Sequence, residues 1–273
     1  MRKNSFDIAT ARRRCLGFRR RILDLSQNVP AMHIAPAFSC LEIVDTIYFG
    51  LMRRGPDGPA IDTFLMSKGH GCIAQYVALE KLGILSERDL ALYCTPQGKL
   101  GGHPDYGVPG IEASTGSLGH GLAIAMGMAY ADKIARLDRV VYTVLSDGEW
   151  QEGSTWEAMM MAPNLGLCNL VAFLDLNDFQ GLGRTSETHP NFYPAADKAR
   201  AFGWETVEVN GHDGGAIHDV VMAREGKRPM MVLARTVKGK GVHFMENVPI
   251  WHYRSPNPKE YQEAVARLQE VAA

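Results

Sequence analysis

The chain lacks any CxxC spacing: its five cysteines, Cys15, Cys40, Cys72, Cys94 and Cys168, are scattered over 273 residues. This argues against a zinc ribbon or a disulfide framework and predicts reduced thiols in a cytoplasmic protein. An excess of positive or negative charge is missing too. A formal net charge of −1 gives no reason to expect nucleic acid or an acidic membrane surface as partner. No purely apolar run approaches the roughly 18 residues that would span a bilayer, so no membrane is expected. The sequence shows no internal repeat, low-complexity tract or linker. With 46% hydrophobic and 22% charged residues, it has the balance of a globular protein sized for one large α/β domain or two small ones.

The arginines at 12–14 and 19–21 could belong to a transit peptide, but Asp7 and Asp24 interrupt the basic run. A helix with Ile8, Leu16, Ile22 and Leu25 turned inward is the expectation.

The stretch that organises the chain lies between residues 140 and 179. Val140 to Leu145 is an apolar, β-branched run that stops at Ser146-Asp147-Gly148. Ser154-Thr155-Trp156-Glu157 carries a capping-box signal for a helix that runs through three methionines. A second apolar run, Leu170 to Leu176, stops at Asn177-Asp178. Strand, helix and strand make a right-handed βαβ unit with parallel strands. Asp147 and Asn177 therefore emerge on one carboxyl edge, where ligands of open α/β sheets bind. A carboxylate and an amide oxygen there suit magnesium carrying phosphate oxygens, with the Gly148 amide and the helix start facing the phosphate. Asp and Asn also commonly just terminate strands.

Further along, helices are predicted over about 122–137, 195–202, 215–224 and 256–271, strands over 204–209 and 230–234, and a surface loop over 181–185. Four strand candidates alternating with helices predict an α/β fold: one doubly wound, mostly parallel sheet with helices on both faces, spanning 1–273 as a single domain. The loop from Arg235 to Gly241 reads as a basic, glycine-rich turn.

The Asp-Gly pair, the gap of about thirty residues and the Asn resemble the thiamine diphosphate motif, and SDGEWQEGSTWEA resembles transketolases in particular. Blocks around His33, Ser67-Lys68-Gly69-His70, Gly102-His103-Pro104, Ser114 to Gly121 and Trp251-His252 follow in that family's order, so the resemblance covers most of the chain. It implies a thiamine diphosphate-binding fold with Mg2+ held by Asp147, Asn177 and the Phe179 carbonyl. It places His70, Gly116, Ser117, Leu118, Gly148, Asn177 and His252 on the cofactor, and His33, His103 and His252 at the reacting atoms. His120 receives no role. Ser146 replaces the family's usual glycine, Ile34 and Pro36 alter the loop after His33, and Tyr253 follows His252 where glycine is usual.

Only the diphosphate-binding domain of that family is matched. The implied function is the N-terminal subunit of a split transketolase, transferring a two-carbon ketol unit between sugars or sugar phosphates. Its partner would be a separate C-terminal subunit bearing the pyrimidine-binding domain, with two copies of each chain in a heterotetramer. The unpaired chain is expected to expose an apolar face around Met159 to Met161. Two alternatives stand beside this: the α-type subunit of another thiamine diphosphate enzyme, acting on 2-oxo acids or loading a carrier, and a cofactor-binding module without catalysis.

Overall fold

The computed structural model describes residues 6–272 apart from 56, 57, 59 and 182. In chain order the helices are α1 (Ile8–Ser26), α2 (Ile34–Ser39), α3 (Leu41–Thr46), α4 (Cys72–Lys81), α5 (Glu87–Ala91), α6 (Gly121–Ile134), α7 (Gly153–Asn164), α8 (Thr185–Thr188), α9 (Ala195–Ala201), α10 (Gly214–Met222) and α11 (Pro258–Ala272). The strands are β1 (Thr63–Met66), β2 (Val141–Ser146), β3 (Leu170–Leu176), β4 (Phe179–Gln180), β5 (Gly183–Arg184), β6 (Glu205–Asn210) and β7 (Met230–Arg235). β1, β2, β3, β7 and β6 lie side by side in that order, all parallel.

Alternation along the central strands decides which helices cover which face. Leu170, Ala172 and Leu174 of β3 and Met231 and Leu233 of β7 join a core with Leu122, Ala158 and Ala199, from α6, α7 and α9. Val171, Phe173, Met230, Val232 and Ala234 face the other way, onto Ile22, Phe38, Ile43 and Ile217. Both faces are covered, which is why β2 and β3 read as near-continuous apolar runs. The chain steps one way through β1, β2, β3 and β6, then returns to lay β7 between β3 and β6. Right-handed crossovers in opposite directions put α7 and α9 on one face and α10 on the other.

Several expectations change. β1 was not anticipated. The 181–185 loop is a hairpin, with Phe179 opposite Arg184. The predicted strand start at Trp204 moves to Glu205, since the Trp204 indole donates to the Met159 carbonyl at 2.8 Å and fastens the turn to α7. Ser154 does not cap α7; its hydroxyl donates to the Gly119 carbonyl at 2.8 Å, and Glu152 stands at the N-cap without a side-chain bond. Ile8 is 43% exposed rather than inward, while Ile22 and Leu25 are core. Met159 is fully buried, so the exposed apolar surface of α7 is reduced to Met160 and Met161. The stretch Ile34–Leu51 is after all long and apolar enough to cross a membrane, with Glu42 and Asp45 within it, but 83% of it is buried inside the fold.

Candidate active site

Parallel strands bring the chemistry to one edge. Ser146 of β2 lies level with Asp175 of β3, and Leu176 with Arg235 of β7, so the chain beyond each strand enters the same crevice. A cavity of about 210 Å3 opens there, walled by His70, Leu118, Gly148, Asn177, Lys238 and His252 among others.

The floor of the crevice is a buried ion pair. Lys68 and Asp175, both without exposed side-chain surface, pair directly. Lys68 also donates to the Pro36 carbonyl at 2.9 Å. Asp175 accepts in addition from Ser39 at 2.6 Å, from Asn177 Nδ2 at 3.0 Å, and from Thr236. Burial alone would raise the Asp175 carboxyl; Lys68 outweighs it and leaves Asp175 below its ordinary range. The charge is thus fully answered, as a buried carboxylate requires.

Asp147 stands in contrast. It is fully buried, its Oδ1 accepts from the Gly148 amide at 3.0 Å, and its Oδ2 has no partner among the described residues. Burial first, then the nearby charge of Asp175, push its carboxyl up to about 8. A bound cation would relieve both. Asn177 fits the same reading: its Nδ2 is tied to Asp175, and its Oδ1 accepts from the Phe179 amide at 3.0 Å, folding residues 177–179 into a compact turn. Among the described residues no three His, Cys, Asp or Glu side chains cluster as metal ligands, so a cation here would draw on amide, carbonyl and phosphate oxygens besides Asp147. The residues present fit a magnesium diphosphate.

One expected donor is differently engaged. The Gly148 amide turns to Asp147, and a 3-10 turn, Glu149–Gln151, separates Gly148 from the start of α7, so the N-terminus of α7 does not follow it directly. Glu149 instead anchors the opposite wall. It is fully buried and accepts from Ser67 Oγ at 2.5 Å and the Gly119 amide at 3.1 Å. Burial raises its carboxyl to about 7 despite those bonds. The 115–121 segment is thereby held over the cavity. Leu118 lines it, Gly116 adopts φ +131° with its α-carbon against His103, and Ser117 points its side chain to the surface. A side chain at Gly116 would meet the His103 ring at 2.7 Å. His120 bonds back to the Ser117 carbonyl at 3.1 Å, a local role.

The histidines scattered through the sequence converge. The His33 ring lies 5.7 Å from His70, 5.6 Å from His103 and 5.4 Å from His252, centroid to centroid. His70 and His252 are 5.5 Å apart. His33 occupies the N-cap of α2, and Ile34, which departs from the resembled pattern, is wholly buried behind it. Tyr253, another departure, places its ring 4.5 Å from His33.

Burial, and then His103, lower His33 to about 4; burial, and then Lys238, lower His252 to about 3. Burial and then Lys68 hold His70 well below its usual value. In an NMR titration the rings of His33 and His252 are therefore expected to stay neutral far below 6.5, the ordinary histidine value. Their unfolded forms bind protons first, so the stability they allow is whole above 6.5 and is lost as pH falls below it. Midpoints at the ordinary value would show a cluster open to water.

Lys238 completes the wall and was not foreseen. Its Nζ lies 2.9 Å from His252 Nδ1, donates to the Gly181 carbonyl at 3.2 Å, and sits 4.9 Å from the Phe179 ring centroid. Burial, and then Lys68, lower it to about 8. The sequence had offered it only as part of a basic glycine-rich turn.

Residues 16–255 match the family model described as transketolase, thiamine diphosphate binding domain. The chain is 38% identical over 260 residues to a Phocaeicola vulgatus protein named as one of the subunits of apulose-4-phosphate transketolase, covering 92% of this chain and 91% of that one. It is 37% identical to a Clostridium protein named 6-deoxy-6-sulfo-D-fructose transketolase subunit SqwG, covering 88% and 90%. Among solved structures, Campylobacter jejuni transketolase superposes with a TM-score of 0.88 at 24% identity, over 97% of this chain and 43% of that one. The chain thus spans less than half the length of that enzyme and nearly all of the two shorter relatives.

Proposed function

We propose, for a chain that belongs to the transketolase family through its thiamine diphosphate-binding domain, that it is the N-terminal subunit of a split transketolase using thiamine diphosphate and Mg2+. It would move a two-carbon ketol unit from a ketose or its phosphate to an aldose or its phosphate. One observation carries the reading: three imidazoles gather within about 6 Å of the His33 ring at the sheet edge where Asp147 presents an unpartnered carboxylate oxygen. The names of the relatives favour transketolase over the 2-oxo acid alternative, and the crowded histidines favour catalysis over a passive binding module.

In this reading Asp147, Asn177 and the Phe179 carbonyl hold the cation, and His70, Gly116, Ser117, Leu118 and Lys238 surround the diphosphate side of the cofactor. When bound, the cofactor supplies the electron sink that ketol transfer needs. The chain's own part is proton management. An imidazole can both accept and donate, so His33 and His103 can take a proton from a sugar hydroxyl and return one to a carbonyl oxygen. Lys238, bonded to His252 Nδ1, fixes the tautomer that leaves the hydrogen on Nε2, so His252 serves as a proton donor.

The partner chain is assigned the pyrimidine-binding domain. α6 and α7 pack on each other and leave Tyr130, Ile134, Met160 and Met161 exposed, which supports a docking face for two copies of each chain. All five cysteines are free, in keeping with a cytoplasmic location.

Calorimetry with thiamine diphosphate tests the site. Binding is expected with Mg2+ and is expected to vanish on chelation with EDTA; affinity indifferent to the metal would remove the cation from the proposal. A second expectation concerns His33. In the enzyme reconstituted with its partner, His33→Ala should lower kcat by about 100-fold or more, with cofactor affinity nearly kept. Unchanged turnover would reduce His33 to a packing residue.

A further inference from the structure

The loop that carries Lys238 leaves the sheet at Arg235 and has no regular secondary structure of its own. Something else must hold it, and the structure shows what does. The Val237 amide donates to His212 Nε2 at 2.8 Å. That bond requires Nε2 to be bare, so Nδ1 carries the hydrogen and donates to Glu42 Oε2 at 2.9 Å. Glu42 is gripped from its other side by Arg19, at 2.6 and 2.9 Å. Arg19 then closes the circuit, since its Nε donates to the Lys240 carbonyl at 2.9 Å. Two backbone groups flanking Lys238, on Val237 and Lys240, are thus fixed by one chain of three side chains from three separate segments. The Gly239 amide, between them, donates to the Ala35 carbonyl at 3.0 Å, only two residues from His33.

We infer that His212, with Glu42 and Arg19, is a positioning latch that sets Lys238 against His252 from behind the active site. The inference rests on the transketolase reading, in which Lys238 faces the cofactor. His212 touches none of the reacting groups; its contribution is a bare ring nitrogen offered to a loop amide at a set distance. The arrangement is economical because a neutral imidazole is at once acceptor for Val237 and donor to Glu42. Glutamine can reproduce both bonds, its carbonyl oxygen toward Val237 and its amide toward Glu42. Phenylalanine fills a similar volume and can make neither.

The test compares His212→Phe and His212→Gln with the parent protein, each mixed with its partner chain. Hydrogen exchange of the peptide spanning 236–241 is read together with calorimetric affinity for thiamine diphosphate in Mg2+. With His212→Phe, exchange in that peptide is expected to accelerate about tenfold or more while β7 stays protected, a loss of roughly 1.4 kcal/mol of local protection. Cofactor affinity should fall by a similar factor with the melting temperature little changed. His212→Gln should restore both. The latch is overturned if the loop exchanges as in the parent, if a loosened loop binds cofactor normally, or if glutamine rescues neither. Should the parent itself fail to bind thiamine diphosphate, the functional reading falls, and loop exchange still decides whether the latch exists.

Discussion

Asp147→Ala is expected to abolish measurable binding of thiamine diphosphate in Mg2+, a loss of more than about 100-fold in affinity, while the metal-free protein keeps its fold and its melting temperature. Both halves follow from one atom. Asp147 Oδ2 is buried and has no hydrogen-bond partner among the described residues, so the metal-free protein gives up only the bond from the adjacent Gly148 amide to Oδ1 when the carboxylate goes. Deleting an unanswered buried acceptor is close to neutral or favourable for stability. The cation, by contrast, loses a carboxylate that no neighbour can replace, because Asp175 is already committed to Lys68, Ser39, Asn177 and Thr236. Diphosphate without its cation would then face an uncompensated site. Normal calorimetric binding by the variant would sink the magnesium assignment; a collapse of the fold would show that Asp147 is structural instead.

The second large effect is all or none. Purified by itself the chain is expected to give no measurable ketol transfer, and full turnover should appear on adding a partner that carries the pyrimidine-binding domain. The resembled family activates its cofactor with a carboxylic acid from that domain, placed on the far side of the pyrimidine ring. Two glutamates of this chain lie beside Gly119. Glu149 is tied to Ser67 and Gly119, and Glu152 packs its stem beside Gly119. Neither is expected to substitute for the acid of the pyrimidine-binding domain. The assay is ketol transfer with thiamine diphosphate and Mg2+, run on each chain alone and on the mixture, with the assembly sized by light scattering. Full activity without a partner would refute the two-chain reading.

The sheet was legible because burial on both faces leaves little but apolar residues in β2, β3 and β7, and the residues that end those strands announce themselves. β1 escaped notice: four residues leading straight into Ser67-Lys68-Gly69-His70 offer too short a run to separate from the motif behind them. The capping box at Ser154 misled because a hydroxyl near a helix start has more than one carbonyl or amide within reach, and here Gly119 competes successfully. The histidines were found through the order of their motifs, not through any property of the residues taken singly. The two lysines were missed for a physical reason. Lysine is so often solvated that neither Lys68 nor Lys238 drew attention, yet Asp175 was a signal for the first. A carboxylate near the end of Leu170–Leu176, in a strand buried throughout, must be answered by a cation or strong donors. Nothing comparable marks Lys238, whose place depends on how a loop of irregular backbone is pinned.

The Lys68–Asp175 pair bears also on how this sequence can vary. Exchanging either residue alone for an apolar one strands its partner as a lone charge away from water, at a cost of several kcal/mol, comparable to much of a domain's net stability. Exchanging both together for apolar residues would remove that penalty, but Ser39, Asn177 and Thr236 would then lose the oxygens they now bond. Drift at this corner is therefore gated: five positions from four separate stretches of the gene behave as one heritable unit, and Asn177 ties that unit to the proposed cation site. Substitutions that look independent along the sequence would have to arrive together to be viable.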